Sequence, residues 1–202
     1  MRNSFWFVIL FSFILSFSHS YSQGIFLEKG EFGLFVDGGY SKFENGNGTS
    51  FGAGFSAGGY FEFEISRSTS EIEISNYYYS DKKDFSSTSV LFGAVLIKKK
   101  AQLEFNFGFT SPDLGSDALL AGFNVGSEIK LHEKLSFYPM FSFAVGIPIE
   151  ENSGNPVTAL GAVSQFLIGD HVYAGPSFAL SEGNFSWGVS AGAIISFNVE
   201  ND

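Results

Sequence analysis

Residues 49–64 read TSFGAGFSAGGYFEFE and alternate with a period of two. Phe51, Ala53, Phe55, Ala57, Gly59, Phe61 and Phe63 share one parity, while Gly52, Gly54, Ser56, Gly58, Tyr60, Glu62 and Glu64 share the other. Successive side chains of a β-strand point to opposite faces, so this stretch predicts a strand with one bulky apolar face and one face of small and ionic residues. Working outward, the same pattern returns at residues 184–198. There Phe185, Trp187, Val189, Ala191, Ala193, Ile195 and Phe197 alternate with Ser186, Gly188, Ser190, Gly192, Ile194 and Ser196. Between these stretches, Leu103, Phe105, Phe107 and Phe109 oppose Glu104, Asn106, Gly108 and Thr110, and Leu119, Ala121, Phe123, Val125 and Ile129 oppose Gly122, Asn124, Gly126, Glu128 and Lys130.

Read from turn to turn, the pattern predicts an all-β, up-and-down meander of ten strands: 31–43, 49–66, 71–80, 87–98, 101–110, 118–131, 135–148, 157–168, 171–181 and 184–198. Val90 to Ile97 is apolar on both faces, so segments 87–98 and 157–168 are the least distinct, and eight strands is the alternative count. Two kinds of connector are expected to alternate. Arg67 to Ser70, Lys99-Lys100, His132 to Lys134 and Gly169-Asp170 read as tight turns. Glu44 to Gly48, Asp81 to Ser86, Ser111 to Asp117, Ile149 to Pro156 and Glu182-Gly183 read as mostly longer loops rich in Gly, Asn, Asp and Ser.

The first 22 residues differ in kind. Arg2, an apolar run from Phe5 to Phe17 broken by Ser12 and Ser16, and a small-x-small site at Ser20, Tyr21 and Ser22 have the layout of a secretory signal peptide. The run falls short of the roughly 20 apolar residues that span a bilayer as a helix. The expected organisation is a signal at 1–22, cleaved near Ser22, and a single barrel domain at 23–202. The 202-residue chain has 11 Lys and Arg against 21 Asp and Glu, a net charge of −10, which argues against nucleic-acid binding. It has no Cys, so neither a disulfide framework nor a thiolate metal site exists.

Alternation alone leaves two architectures open, a soluble β-barrel or sandwich that binds an apolar ligand inside, and a closed antiparallel transmembrane β-barrel. Volume favours the second. Five of the 26 Phe fall within the first 22 residues, and the remaining 21 lie mostly on the same strand faces, too much bulk for a small barrel interior. The opposite faces are mainly Gly, Ser and Ala, which suit a crowded lumen. Large aromatics near strand ends, such as Phe51 and Phe63 or Trp187 and Phe197, match the girdles of membrane barrels. Lipid offers no partners to backbone N–H and C=O groups, so such a sheet must close. Pro139 and Pro176 inside strands then require bulges, and Pro148 a strand end.

On these features the chain resembles small bacterial outer-membrane β-barrels of the OmpA- or OmpX-like kind, within the porin-like group, over residues 31–198. Ser190, Gly192, Ile195 and Phe197 match that family's C-terminal assembly signal, and Asn198 to Asp202 follow where the family usually ends on the aromatic residue. The resemblance implies an outer-membrane location in a Gram-negative envelope, contact with membrane lipids and with the barrel-assembly machinery, and a monomer without cofactor.

Candidate chemistry is sparse. His132 and His171 fall in expected turns away from any nucleophile motif, and no metal-ligand spacing occurs, so neither catalytic nor metal-binding residues are expected. If Arg67 to Ser70 is a turn, Glu64 lies opposite Glu73, with Glu62 and Glu71 beside them and Glu104 and Glu128 at similar depth. Lys130 and Arg67 are then the expected counter-charges. These residues form a candidate lumen constriction that favours cations, whereas a salt-bridged plug or a water-exposed rim with no transport role is the structural alternative. Acidic loops carrying Asp81, Asp84, Asp113, Asp117, Glu150 and Glu151 either attract divalent cations or keep that surface solvated.

Overall fold

The structure is a computed structural model, and it describes Leu27 and residues 31–57, 60–76, 79–98, 101–113, 116–150, 155–169 and 171–198. The expected signal peptide lies outside the described residues. The strands are β1 (Glu31–Phe43), β2 (Gly46–Ala57), β3 (Phe61–Asn76), β4 (Tyr79–Lys98), β5 (Gln102–Pro112), β6 (Ala118–Gly126), β7 (Ile129–His132), β8 (Leu135–Pro148), β9 (Val157–Ile168), β10 (Val172–Ser181) and β11 (Asn184–Asn198). Each pairs antiparallel with its neighbour. The first and last strands join through an unbroken register from Glu31↔Asn198 to Phe43↔Ser186, which leaves the ring without an edge. Both β6 and β7 pair with β8, in one register as far as Lys130↔Ser136 before a shift at His132↔Leu135, so they occupy a single position in a closed ten-stranded barrel.

Ten strands are legible in the sequence, but three of their boundaries are not. The 49–66 segment is two strands, because β2 turns back after Ala57 and β3 begins at Phe61. Ala57 pairs with Phe61, and paired residue numbers across this hairpin always sum to an even value. Residue parity therefore carries through the turn, and periodicity alone cannot reveal it. Arg67 to Ser70 is not a turn but the middle of β3, and Asp81 to Ser86 is not a loop but part of β4. The expected contrast between short and long connectors is correspondingly weak. At the end opposite the termini, the connections after β1, β3 and β10 are two residues each, and only those after β5 and β8 are longer.

The prolines are accommodated by gaps in the ladder rather than by bulges. Ser127 N–H donates to the Pro139 carbonyl at 3.2 Å, and Pro139 has no N–H to return, so the pairing lapses and separates β6 from β7. Pro176 likewise lacks the donor that would meet β9. The β9–β10 ladder lapses between Ala174↔Phe166 and Ser177↔Val163 and resumes in the same register. Pro148 ends β8, as expected.

The rings point outward. Phe51 is 62% exposed, Phe107 61% and Trp187 45%, alongside exposed Phe61, Phe141, Ile195 and Phe197. Cross-strand contacts link them into a band, with Phe55, Phe63, Phe92 and Phe107 in sequence at centroid separations of 5.6, 5.1 and 5.3 Å. A soluble barrel that holds an apolar ligand inside requires the reverse arrangement, so that alternative is set aside. The interior holds Ser56, Ser70, Glu104, Gln165 and Tyr173, each at most 1% exposed.

Candidate functional site

The lumen mixes apolar and polar side chains. Small apolar clusters join Leu120 and Ala144 to Leu91 of β4, Met140 to Val163, and Ala159 to Ala179 of β10, with Asn124, Ser136 and Gln165 buried among the inward positions of β6, β8 and β9. The buried acids gather on β1, β3 and β5, whose side of the lumen also holds Phe35, Phe85 and Leu91. On β3 the even-numbered residues Glu62, Glu64, Ser66, Ser68 and Ser70 are all buried, forming one column along the inner face. Ser68 Oγ hydrogen-bonds Ser87 Oγ at 2.7 Å, and Ser89 Oγ donates to Thr110 Oγ1 at 2.9 Å, extending the hydroxyls onto β4 and β5.

Towards the end that carries the termini this column meets four carboxylates, those of Asp37, Glu62, Glu64 and Glu104. Glycines on the neighbouring strands make room for them. Asp37 Oδ1 and Glu64 Oε1 each lie 2.9 Å from the point where a Gly52 Cβ would sit, so the two carboxylates converge over that glycine. Gly93 opens a second notch, occupied by Glu104, the Asn106 amide oxygen and the stem of Glu62. Asn124 Nδ2 donates to Glu104 Oε2 at 2.9 Å. The Tyr173 hydroxyl reaches the Asp37 carboxylate, its ring laid across Gly192, the direct cross-strand partner of Tyr173. Asp37 Oδ2 and Glu64 Oε1 are buried and have no hydrogen-bond partner. No Lys or Arg is buried among the described residues.

Of the residues expected at a constriction, some are brought together and others are dispersed. Glu62, Glu64 and Glu104 come together inside the barrel. Glu71 and Glu73 do not join them, because β3 runs straight through 67–70 and odd-numbered residues face outward. Glu64 is opposite Gly54 and Leu91, not Glu73. Glu71 accepts a hydrogen bond from Lys82 Nζ at 2.8 Å on the outside. Glu128 sits at the gap between β6 and β7, where it accepts a hydrogen bond from Ser136 Oγ at 2.7 Å, and Lys130 is exposed beside it. Neither expected counter-charge lies among the acids. Arg67 is outside, 3.6 Å from Asp113, and Lys130 sits at the rim. Sequence reasoning misses Asp37, although its parity with Phe35 and Ser41 in residues 31–43 is an available signal. The acidic connector residues include Glu150, which accepts a hydrogen bond from Ser116 Oγ at 3.0 Å. Among the described residues no three His, Asp or Glu are grouped to hold a metal ion.

On the last strand, Ser190 and Gly192 face the lumen while Ile195 and Phe197 face outward, beside β1. With closure and outward rings established, the architecture follows. The fold is a transmembrane β-barrel.

No family model and no curated protein matches the sequence. Among solved structures the chain is similar to the β domain of the Bordetella autotransporter BrkA, with 12% identity, 82% of this chain and 98% of that one covered, and a TM-score of 0.43. It is also similar to KdgM porin, at 7% identity over 79% and 98% of the two chains with a TM-score of 0.47. A third is the N-terminal β-barrel domain of Pseudomonas aeruginosa OprF, at 8% identity over 84% and 100% with a TM-score of 0.39. At these identities and scores the likeness carries no weight for function.

Proposed function

We propose that the chain is an integral outer-membrane protein of a Gram-negative envelope, exported by a signal at residues 1–22 and inserted as a monomeric barrel of residues 23–202. In this reading it is non-enzymatic and works without a cofactor. Its partners are membrane lipids and the barrel-assembly machinery, which reads Ser190, Gly192, Ile195 and Phe197. The barrel braces the membrane and offers a narrow path that favours cations.

The observation that carries the cation preference is the group of Asp37, Glu62, Glu64 and Glu104 on one lumenal wall, with no Lys or Arg buried among the described residues. Rings of carboxylates in a low-dielectric pore attract cations and repel anions. The hydroxyl column on β3 supplies oxygen contacts along the way. Purified protein in planar bilayers is expected to give small unitary steps whose reversal potential under a salt gradient favours the cation. Asp37→Asn with Glu64→Gln is expected to lower that preference several-fold. Absence of steps, or a selectivity indifferent to the double substitution, overturns the cation path and leaves a structural barrel.

A further inference from the structure

Leu27 is the one described residue ahead of β1, and it is not at the surface. It is 2% exposed and clusters with Phe35 and Ile194, which face the lumen from β1 and β11. Its side chain fills a notch. A Cβ on Gly33 would stand 2.8 Å from Leu27 Cδ1 and 3.1 Å from Cδ2, so a side chain at position 33 would crowd this seat. The seat adjoins the acids, since Gly33 pairs with Ser56 and Ser56 pairs with Glu62. The Phe35 ring lies across Gly54, the cross-strand partner of Glu64. The Leu27 side chain therefore stands inside the barrel mouth against β1 and β11, beside the strands that carry the carboxylates.

We propose that Leu27 is a hydrophobic stopper at the end of the lumen that carries the termini, and that it limits ion flow through the path. The proposal rests on the reading of the lumen as a cation path. An apolar constriction a few side chains wide expels water and so opposes passage of an ion, while the acids on the neighbouring strands concentrate cations against it. Leu27 thus sets how much passes, and Asp37 and Glu64 set which sign of charge passes.

The test compares unitary conductance of the wild type with Leu27→Ser and Gly33→Ala, each checked for heat-modifiable gel mobility. Leu27→Ser removes the stopper, and Gly33→Ala leaves Leu27 intact but crowds its seat. Both are expected to raise conductance or open time several-fold with cation preference unchanged, while Leu27→Met behaves as wild type. Because the chain has no cysteine, Leu27→Cys supplies a readout independent of current. A methanethiosulfonate reagent is expected to label it slowly in the folded barrel and quickly when Gly33→Ala is added. If both variants conduct like wild type while Asp37→Asn with Glu64→Gln alters selectivity, the stopper is overturned and the cation path stands. If no variant conducts, both are overturned. Labelling of the Leu27→Cys variant in the folded barrel as fast as in the urea-unfolded chain removes the seat itself.

Discussion

Three of the large rings that enter the lumen lie across a glycine supplied by the strand beside them. Phe35 lies across Gly54, Phe43 across Gly46 and Tyr173 across Gly192, each pair being direct cross-strand partners. These glycines are required by close approach, and a single methyl would have to displace ring or backbone. Gly192→Ala is therefore expected to destabilise the barrel by about 1–3 kcal/mol, read as a lower urea midpoint in vesicles. It also pushes Tyr173 away from Asp37. A midpoint unchanged from wild type contradicts the notch. Glu182 poses the opposite case. It sits at φ 46° beside Gly183 at φ 84°, in the two-residue turn between Ser181 and Asn184, a turn that favours Asn-Gly. Glu182→Asn is expected to stabilise the barrel by up to about 1 kcal/mol in the same urea assay, and a loss of stability refutes that account of the turn.

The strands differ in how completely their ladders are made, and the gaps fall at prolines. Pro139→Ala supplies the N–H that Ser127 lacks across the β6/β7 break. Amide exchange in residues 127–130 is expected to slow, by roughly tenfold if one hydrogen bond of about 1 kcal/mol is gained. Exchange as fast as in the wild type would show that something other than the missing donor separates β6 from β7. At this scale the limits of reading the sequence are physical. Faces are legible almost everywhere, because a strand with lipid on one side and a packed lumen on the other must alternate. Turns are not legible wherever the hairpin preserves parity, as at 58–60, or wherever polar strand residues such as Ser66 to Ser70 and Asp81 to Ser86 imitate loop composition. A turn misplaced at 67–70 also misplaces the site. It would bring Glu71 and Glu73 inward, whereas an unbroken β3 puts them outside with Lys82. Glu62, Glu64 and Glu104 hold their place because their parity does not depend on that turn. Asp37 is easily overlooked because it is a single acid in a strand otherwise read for its apolar face.

Closure is a property of the whole chain, since no strand has its backbone satisfied without both neighbours. Removing β11 by ending the chain before Asn184 exposes β1 and β10 together. It is expected to abolish both resistance to carbonate extraction and heat-modifiable mobility rather than merely weaken them. A truncated chain that still shows both would mean that the β1–β11 seam is dispensable. The central claim, however, is that the bulky rings lie in hydrocarbon while the acids line an enclosed lumen. The chain has two tryptophans, Trp6 and Trp187, and a chain starting at Gln23 keeps only Trp187 as its reporter. The most direct measurement is the fluorescence of Trp187 in vesicles of brominated-acyl-chain lipid compared with unbrominated lipid, with acrylamide added from the water phase as the counter-probe. Strong quenching by the bromolipid and weak quenching by acrylamide are predicted. Emission untouched by bromolipid but quenched by acrylamide, or protected from both, would contradict the account.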